Sequence, residues 1–205
     1  GTIGRPGVGY NPANSAINFS GRGVYLIQDA DDSALVRRAL DGDSDAFETL
    51  VSRHQRALYT VACRMLGNRD EARDALQGAL VKAYEHLDSF DPRHRFFSWI
   101  YRIVVNECLN LLRARRPVDD LSPTLAARET PFEVAADGER ARQVQQALLT
   151  LTPDARAVIV MRHYGDLSYD EITAALNVPS KTVKSRLYAA RQRLGEMLLG
   201  WKAES

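Results

Sequence analysis

From Asp31 onward the apolar residues of this chain recur at helical spacing, and no convincing stretch alternates apolar and polar residues as a half-buried strand would. That regularity restricts the chain to an all-α fold, because a helix with one apolar stripe must bury it against another element and only helices are on offer. The stripes are bounded by start and stop signals. A first helix is expected over about Asp32 to Leu40, ending at Asp41-Gly42. A second runs from about Asp45, with Phe47, Leu50, Val51, Leu58, Val61, Ala62 and Leu66 on one stripe. Gly67 closes it, the residue type suited to a left-handed turn. Asn68 caps a third helix, with Glu71 placed three residues on to reach back to it. A turn-rich loop, Asp88 to Arg95, leads to a fourth helix over about Phe97 to Arg115.

Residues 117–137 interrupt the pattern. Pro117, Pro123 and Pro131 with several acids and few large apolar residues read as an acidic linker. Helical signals resume near Gly138. Thr152 with Pro153 at the first helical position opens one helix, and Gly165 follows its end. Ser168-Tyr-Asp-Glu171 is a capping box opening a short helix that ends at Asn177. Ser180 then caps a long last helix to about Leu199. The expected architecture is therefore two small helical domains, 31–116 and 138–200, joined by a flexible linker at 117–137. Residues 1–30, rich in Gly, Asn, Pro and Ser, read as a flexible extension.

Bulk properties remove several function classes. No run approaches the roughly 18 apolar residues of a membrane-spanning helix, and no charged start precedes an apolar core, so neither membrane insertion nor a secretory signal is expected. Cys63 and Cys108 are isolated and read as two buried, reduced thiols of a cytoplasmic protein. His54, His86, His94 and His163 are scattered without metal-ligand spacing, and there is no Gly-rich phosphate loop. No metal, cofactor or catalysis is expected.

The net charge of +1 says little, but its distribution says more. Arg93, Arg95, Arg102, Arg113, Arg115 and Arg116 are opposed between 93 and 116 only by Glu107. Between 180 and 194, Lys181, Lys184, Arg186, Arg191 and Arg193 have no acid among them. Two separate basic stretches on a near-neutral chain suit two contacts with a polyanion.

The second stretch has helix-turn-helix grammar. A short capped helix turns Ile172, Ala175 and Leu176 inward, Asn177 tolerates the left-handed turn, and Val178 fills the space between helices. The next helix turns Val183, Leu187 and Ala190 inward, leaving Lys181, Lys184, Ser185, Arg186 and Tyr188 largely on the other side. Such a helix can lie in a major groove, where Lys and Arg reach guanine edges or phosphates. Ser185 is short and suits a phosphate oxygen or a close base edge, whereas Tyr188 suits either a thymine methyl or the core. Arg191 and Arg193 lie beyond the groove-entering turns and suit DNA backbone or acids of their own domain.

The first stretch differs in kind. Phe90, Phe96, Phe97, Trp99 and Tyr101 crowd beside Arg93, Arg95 and Arg102, a mixture that suits stacking of unpaired bases and neutralisation of their phosphates. The same aromatic residues would also serve as core, and for Phe96 or Phe97 singly that reading is the stronger. Asn106 lies one turn beyond Arg102 on the same face. Its carboxamide offers donor and acceptor together, which suits a base edge as well as an ordinary helix surface.

Three blocks carry a resemblance. They are Asp45 to Val51 with Asn68 to Gln77 and Lys82-Ala-Tyr84; Phe96 to Asn106; and Leu151 to Arg156 with Ser168 to Leu176 and Lys181 to Leu187. In this order they resemble an extracytoplasmic-function (ECF) sigma factor of the sigma-70 family. The resemblance implies a region 2-like domain whose third helix, with Asp74, Gln77 and Lys82, docks on the clamp helices of the largest subunit of core RNA polymerase. It implies that Arg95, Phe97, Trp99, Arg102 and Asn106 melt and read the −10 element as a single strand. It further implies a region 4-like domain, set against the flap of the second-largest subunit. There Lys181, Thr182, Lys184, Ser185, Arg186, Tyr188 and Arg191 would read the −35 element as duplex. An anti-sigma factor is implied as a further partner. Gly78, Thr173, Asn177 and Ala189 depart from the usual pattern, and Gly78 falls within the core-docking helix. A duplex-only regulator of the LuxR type and a sigma-like decoy are the competing readings.

Overall fold

The computed structural model describes residues 29–115 and 138–203. The expected linker at 117–137 lies outside the described residues, as does all of the expected N-terminal extension except Asp29 and Ala30. Eight α-helices account for most of what is described: α1 (Asp29–Leu40), α2 (Ser44–Leu66), α3 (Arg69–Glu85), α4 (Phe96–Ala114), α5 (Gly138–Leu149), α6 (Pro153–His163), α7 (Tyr169–Leu176) and α8 (Ser180–Ala203). A short 3-10 turn, Leu87–Ser89, precedes the loop into α4. No strand occurs among the described residues.

Local chemistry explains where these helices begin and end. Asp43 caps α2 by accepting from the Ala46 amide at 3.2 Å, and Gly67 ends it at φ +72°. Asn68 accepts from the amides of Asp70 and Glu71 at 2.9 and 3.2 Å. The expected reach-back by Glu71 is replaced by a longer-range contact, because its carboxylate meets Arg115 at the end of α4. On α7 the capping box closes in both directions: the Ser168 amide donates to Glu171 at 2.7 Å and the Glu171 amide donates to Ser168 Oγ at 3.2 Å. Asn177 turns the chain at φ 51°.

Helices α1–α4 surround a core built from Leu50, Leu58, Val61 and Met65 of α2 and Ile100, Val104 and Leu109 of α4. Alanines at 72, 75, 79 and 83 form the inward stripe of α3 and let it lie close against both. Each fully buried leucine or isoleucine here contributes on the order of 2 kcal/mol by leaving water. Beneath α1 a polar pair is sealed in. His54 Nε2 lies 2.6 Å from Asp32 Oδ2, with Arg53 on the other carboxylate oxygen at 3.2 Å.

Helices α5–α8 enclose Leu148, Val158, Val160, Met161, Ile172, Val183, Leu187 and Leu194. The two groups are also docked on each other, α2 and α4 against α5, α6 and α7, so that their apolar residues join in one core. Arg156 shows how the joint is made. Its guanidinium is buried and donates to the carbonyls of Leu148, Leu149 and Leu151 at 3.0, 2.9 and 3.1 Å, and to that of Met65 in the first group. Met65 and Leu149 stand at the C-terminal ends of α2 and α5, where unpaired carbonyls collect partial negative charge. Burial, then the Arg115 charge, lowers Arg156 to about 10, still a cation at neutral pH.

Candidate nucleic-acid interface

The aromatic crowd before and within α4 divides into core and rim. Phe90, Phe96 and Trp99 form one cluster, with ring centroids 5.4 to 5.8 Å apart, that braces the loop 88–95 against α4. Phe97 is 3 % exposed and packs against His54 and Tyr101, so its ring belongs to the core. Trp99 is 7 % exposed, yet it lines a cleft of about 450 Å³ together with Arg102, Ile103 and Asn106. The single-strand candidates are thus sorted: Trp99, Arg102 and Asn106 share one cleft, Arg95 stands half-buried at the N-cap position of α4 without a side-chain capping bond, and Phe97 stands behind them.

On the rim of this cleft Lys82 of α3 is ion-paired with Glu107 of α4. Asp74 and Gln77 lie exposed further along α3, and Val81 and Tyr84 add apolar surface there, 53 % and 56 % exposed. Gly78 faces α4 without crowding, since an added Cβ would lie 3.7 Å from Glu107 Oε1.

On α8, Val183, Leu187 and Ala190 are buried as their spacing requires, while Lys181, Lys184, Ser185 and Tyr188 are exposed. Tyr188, at 67 % exposure, is resolved in favour of the surface. Thr182 and Arg186 are half-buried, and Arg186 is ion-paired with Asp154 of α6 at 2.8 Å. Arg191 sits apart from the exposed face. Its guanidinium donates to His163 Nε2 at 3.3 Å within its own domain. Burial, then the charges of Arg191 and Arg162, pull His163 down to about 4, which keeps the ring neutral and able to accept. Arg193 faces Glu196 at 3.7 Å.

Both cysteines are free, Cys108 buried and Cys63 only half-buried. Burial, with Glu107 next, pushes the Cys108 thiol up to about 12, so it is inert at neutral pH. No group of His, Cys, Asp and Glu suited to a metal occurs among the described residues. No described helix is long and apolar enough to cross a membrane. Sequence reasoning missed Asp154, Gln145 and Tyr101 as contact residues. All three act across 32 residues or more, the shortest span being that from Asp154 to Arg186, and only the basic run around Arg186 hinted that an acid was needed nearby.

A four-helix domain with an aromatic-backed polar cleft, followed by a helix-turn-helix domain with a basic exposed face, defines a two-part helical DNA-binding protein. The comparisons narrow the class. The Sigma-70 region 2 family profile matches residues 50–118, and the Sigma-70 region 4 profile matches residues 141–194. The chain is 35% identical over 176 residues to the ECF RNA polymerase sigma factor SigW of Bacillus subtilis, covering 80% of this chain and 94% of that one. It is 34% identical over 198 residues to the ECF RNA polymerase sigma factor SigM of Mycobacterium tuberculosis, covering 94% and 93%. Among solved structures, CnrH in complex with the cytosolic domain of CnrY is similar at 31% identity and a TM-score of 0.63, covering 85% of this chain and 99% of that one. The sigma factor RpoE of Bartonella quintana, in complex with the anti-sigma factor NepR, is similar at 28% identity and a TM-score of 0.63, covering 74% and 96%. The chain belongs to the ECF sigma factors of the sigma-70 family.

Proposed function

We propose that this sigma factor, acting in the cytoplasm without catalysis of its own, binds core RNA polymerase and directs it to promoters through three surfaces on two domains, 31–116 and 138–200. The exposed side of α3, with Asp74, Gln77 and Lys82, takes the clamp helices of the largest subunit. Arg102 and Asn106, with Trp99, Arg95 and the supporting Phe97, take the −10 element as an unpaired strand. Lys181, Thr182, Lys184, Ser185, Arg186 and Tyr188, with Arg191 toward the end of the helix, take the −35 element as duplex, and the flap of the second-largest subunit receives this domain. An anti-sigma partner fits the same reading, since a similar sigma factor is solved with one.

The observation that carries the reading is the meeting of Trp99, Arg102 and Asn106 of α4 at one cleft, these three residues belonging to a different domain from the exposed basic face of α8. A duplex-only regulator has no use for the first of these. The test is to mix the full chain with core polymerase and a promoter library and to sequence the run-off transcripts. Initiation from a shared two-part promoter is expected. Duplex binding without core polymerase and without initiation would replace this reading by the regulator, and core binding without transcripts would replace it by the decoy.

A further inference from the structure

Helix α4 opens without a side-chain cap. Arg95 stands at its N-cap position and makes no bond to the first turn, whereas Asp43, Asn68, Thr152 and Ser168 each accept from an amide at the start of their own helices. Packing on Phe96 and Phe97 has to place that turn instead. His54 of α2 packs on both, with ring centroids 6.1 and 5.3 Å away. Its ring is held from the other side. Nε2 lies 2.6 Å from Asp32 Oδ2 of α1, and Arg53 sits on the second oxygen of that carboxylate at 3.2 Å. His54 is 4 % and Asp32 3 % exposed, so water scarcely competes for either. From Phe96 the contacts run on to Phe90 at 5.8 Å and to Trp99 at 5.6 Å, and Phe90 closes the triangle on Trp99 at 5.4 Å. Neither Asp32 nor His54 lines the cleft that Trp99 shares with Arg102 and Asn106.

We propose that His54, oriented by Asp32, is a positioning residue of the strand-reading cleft. The pair sets the first turn of α4 and, through Phe96, the tilt of Trp99, and so shapes which unpaired base the cleft accepts without touching that base. The inference rests on the assignment of the cleft to the unpaired strand. Two physical arguments support it. A buried polar pair adds little net stability over apolar side chains of similar volume, so space-filling alone gives no reason for Asp32 and His54 to meet. What a satisfied buried hydrogen bond does supply is direction. An imidazole fixed at Nε2 keeps one plane, and the rings packed on it in edge and tilted contacts keep theirs, because a close-packed interior transmits a displacement rather than absorbing it. Hydrogen bonds to a base edge are short-ranged and angle-dependent, so a small shift of Trp99 changes which bonds Arg102 and Asn106 can close.

Two variants separate the ring from the bond. Asp32→Leu with His54→Phe keeps an aromatic ring against Phe96 and Phe97 and exchanges the buried pair for apolar side chains, a replacement that folded proteins tolerate. His54→Gln keeps an amide nitrogen in reach of Asp32 and removes the ring. Each full-length variant is mixed with core polymerase and a library randomised at the −10 element, and the run-off transcripts are sequenced. Discrimination at one or more −10 positions should fall by about twofold to thirtyfold, the range commanded by residues that reach a site only through packed neighbours. Preference at the −35 element and the concentration of core polymerase at half-saturation should stay within about twofold, as sites without shared partners behave. A spectroscopic readout accompanies this. With Trp201→Phe in the background, Trp99 is the one tryptophan of the chain, and both variants should shift its emission and increase its quenching by acrylamide.

Wild-type −10 preference in both variants, whether transcripts are plentiful or uniformly fewer, would reduce Asp32 and His54 to core residues and overturn the inference while leaving the −10 assignment intact. If the double variant does not fold, His54→Gln alone decides in the same way. A −10 preference that ignores Arg102→Ala and Asn106→Ala in the same library would overturn the strand assignment of the cleft, and the inference with it.

Discussion

Arg186 of α8 is held by Asp154 of α6, Nη2 to Oδ2, at 2.8 Å. The other oxygen of that carboxylate faces Arg113 of the first domain at 3.5 Å. A fixed acid beside an arginine restrains where the guanidinium can go and subtracts from its attraction to phosphate, which matters if Arg186 takes the −35 duplex as proposed. Replacing Asp154 by Asn should therefore release Arg186 to the phosphate backbone. The slope of log K against log salt for nonspecific duplex should steepen by about one, while discrimination between −35 sequences narrows. Salt-titrated duplex binding measures both, and an unchanged slope would show that the pair is idle in binding.

Asn106→Ala should change the preferred −10 sequence while leaving affinity for core polymerase within about twofold, since Asp74 and Gln77 of α3 lie away from the cleft that Asn106 lines and Lys82 on its rim keeps its partner Glu107. The loss at the affected base should be about 1 to 3 kcal/mol, the worth of one good base contact. Sequenced run-off transcripts from a −10 library give the answer; an unaltered preference would remove Asn106 from the site.

Arg156→Met should destabilise the chain by about 3 kcal/mol or more, because burying a carbonyl without its donor costs about 1 to 3 kcal/mol and Arg156 serves four. Urea unfolding measures the loss. Arg156→Lys should recover only part of it, since a single ammonium cannot span carbonyls fixed in the fork of a guanidinium.

His163 supplies a pH dependence. Its folded value of about 4 lies below the ordinary imidazole value of about 6.5, so between these limits the unfolded chain binds more protons than the folded one. Stability from this group is complete above about pH 6.5 and is lost as pH falls toward 4. After allowance for solvent around a half-buried ring, the loss is on the order of 1 to 2 kcal/mol. The melting temperature should fall between pH 7 and pH 5, and His163→Gln should flatten that part of the curve.

Gly78→Ala should stabilise α3 by about 0.5 to 1 kcal/mol, because alanine is the better helix former and its Cβ meets nothing closer than 3.7 Å. A midpoint shift in urea reports it directly.

Features decided within a few residues were legible in the sequence. The Ser168–Glu171 box, the Asn68 cap and the left-handed Asn177 depend on side chains reaching their own neighbours, and each formed as its spacing implied. Contacts across the fold were not legible. Glu71 had a good local partner in the Asn68 amide, but Arg115, 44 residues on, offers a full charge and took the carboxylate. Asp32 and His54 are unremarkable in their own helices and become a buried pair only when α1 closes over α2. Phe97 and Trp99 are both aromatic but stand two residues apart on different sides of α4, and only the packing of distant His54 against Phe97 and of Phe90 against Trp99 shows which side is core and which reaches the cleft. The docking of the two domains left no trace either, since Tyr101 and Val160 are 59 residues apart and nothing in either segment announces the other.

Four hydrogen bonds that cross between the domains, those of Tyr101, Asn106, Gln145 and Arg156, end on main-chain carbonyls, at Val160, Ala175, Cys63 and Met65. Every residue type supplies such an oxygen. The accepting side of the joint can therefore drift in sequence while the fold of α2, α6 and α7 is kept, and the donating side need not follow. Paired substitutions will not accumulate at these positions, so covariation between aligned relatives would pass over these four contacts even where they are retained, and would find the joint only through side-chain pairs such as Arg64 with Gln145.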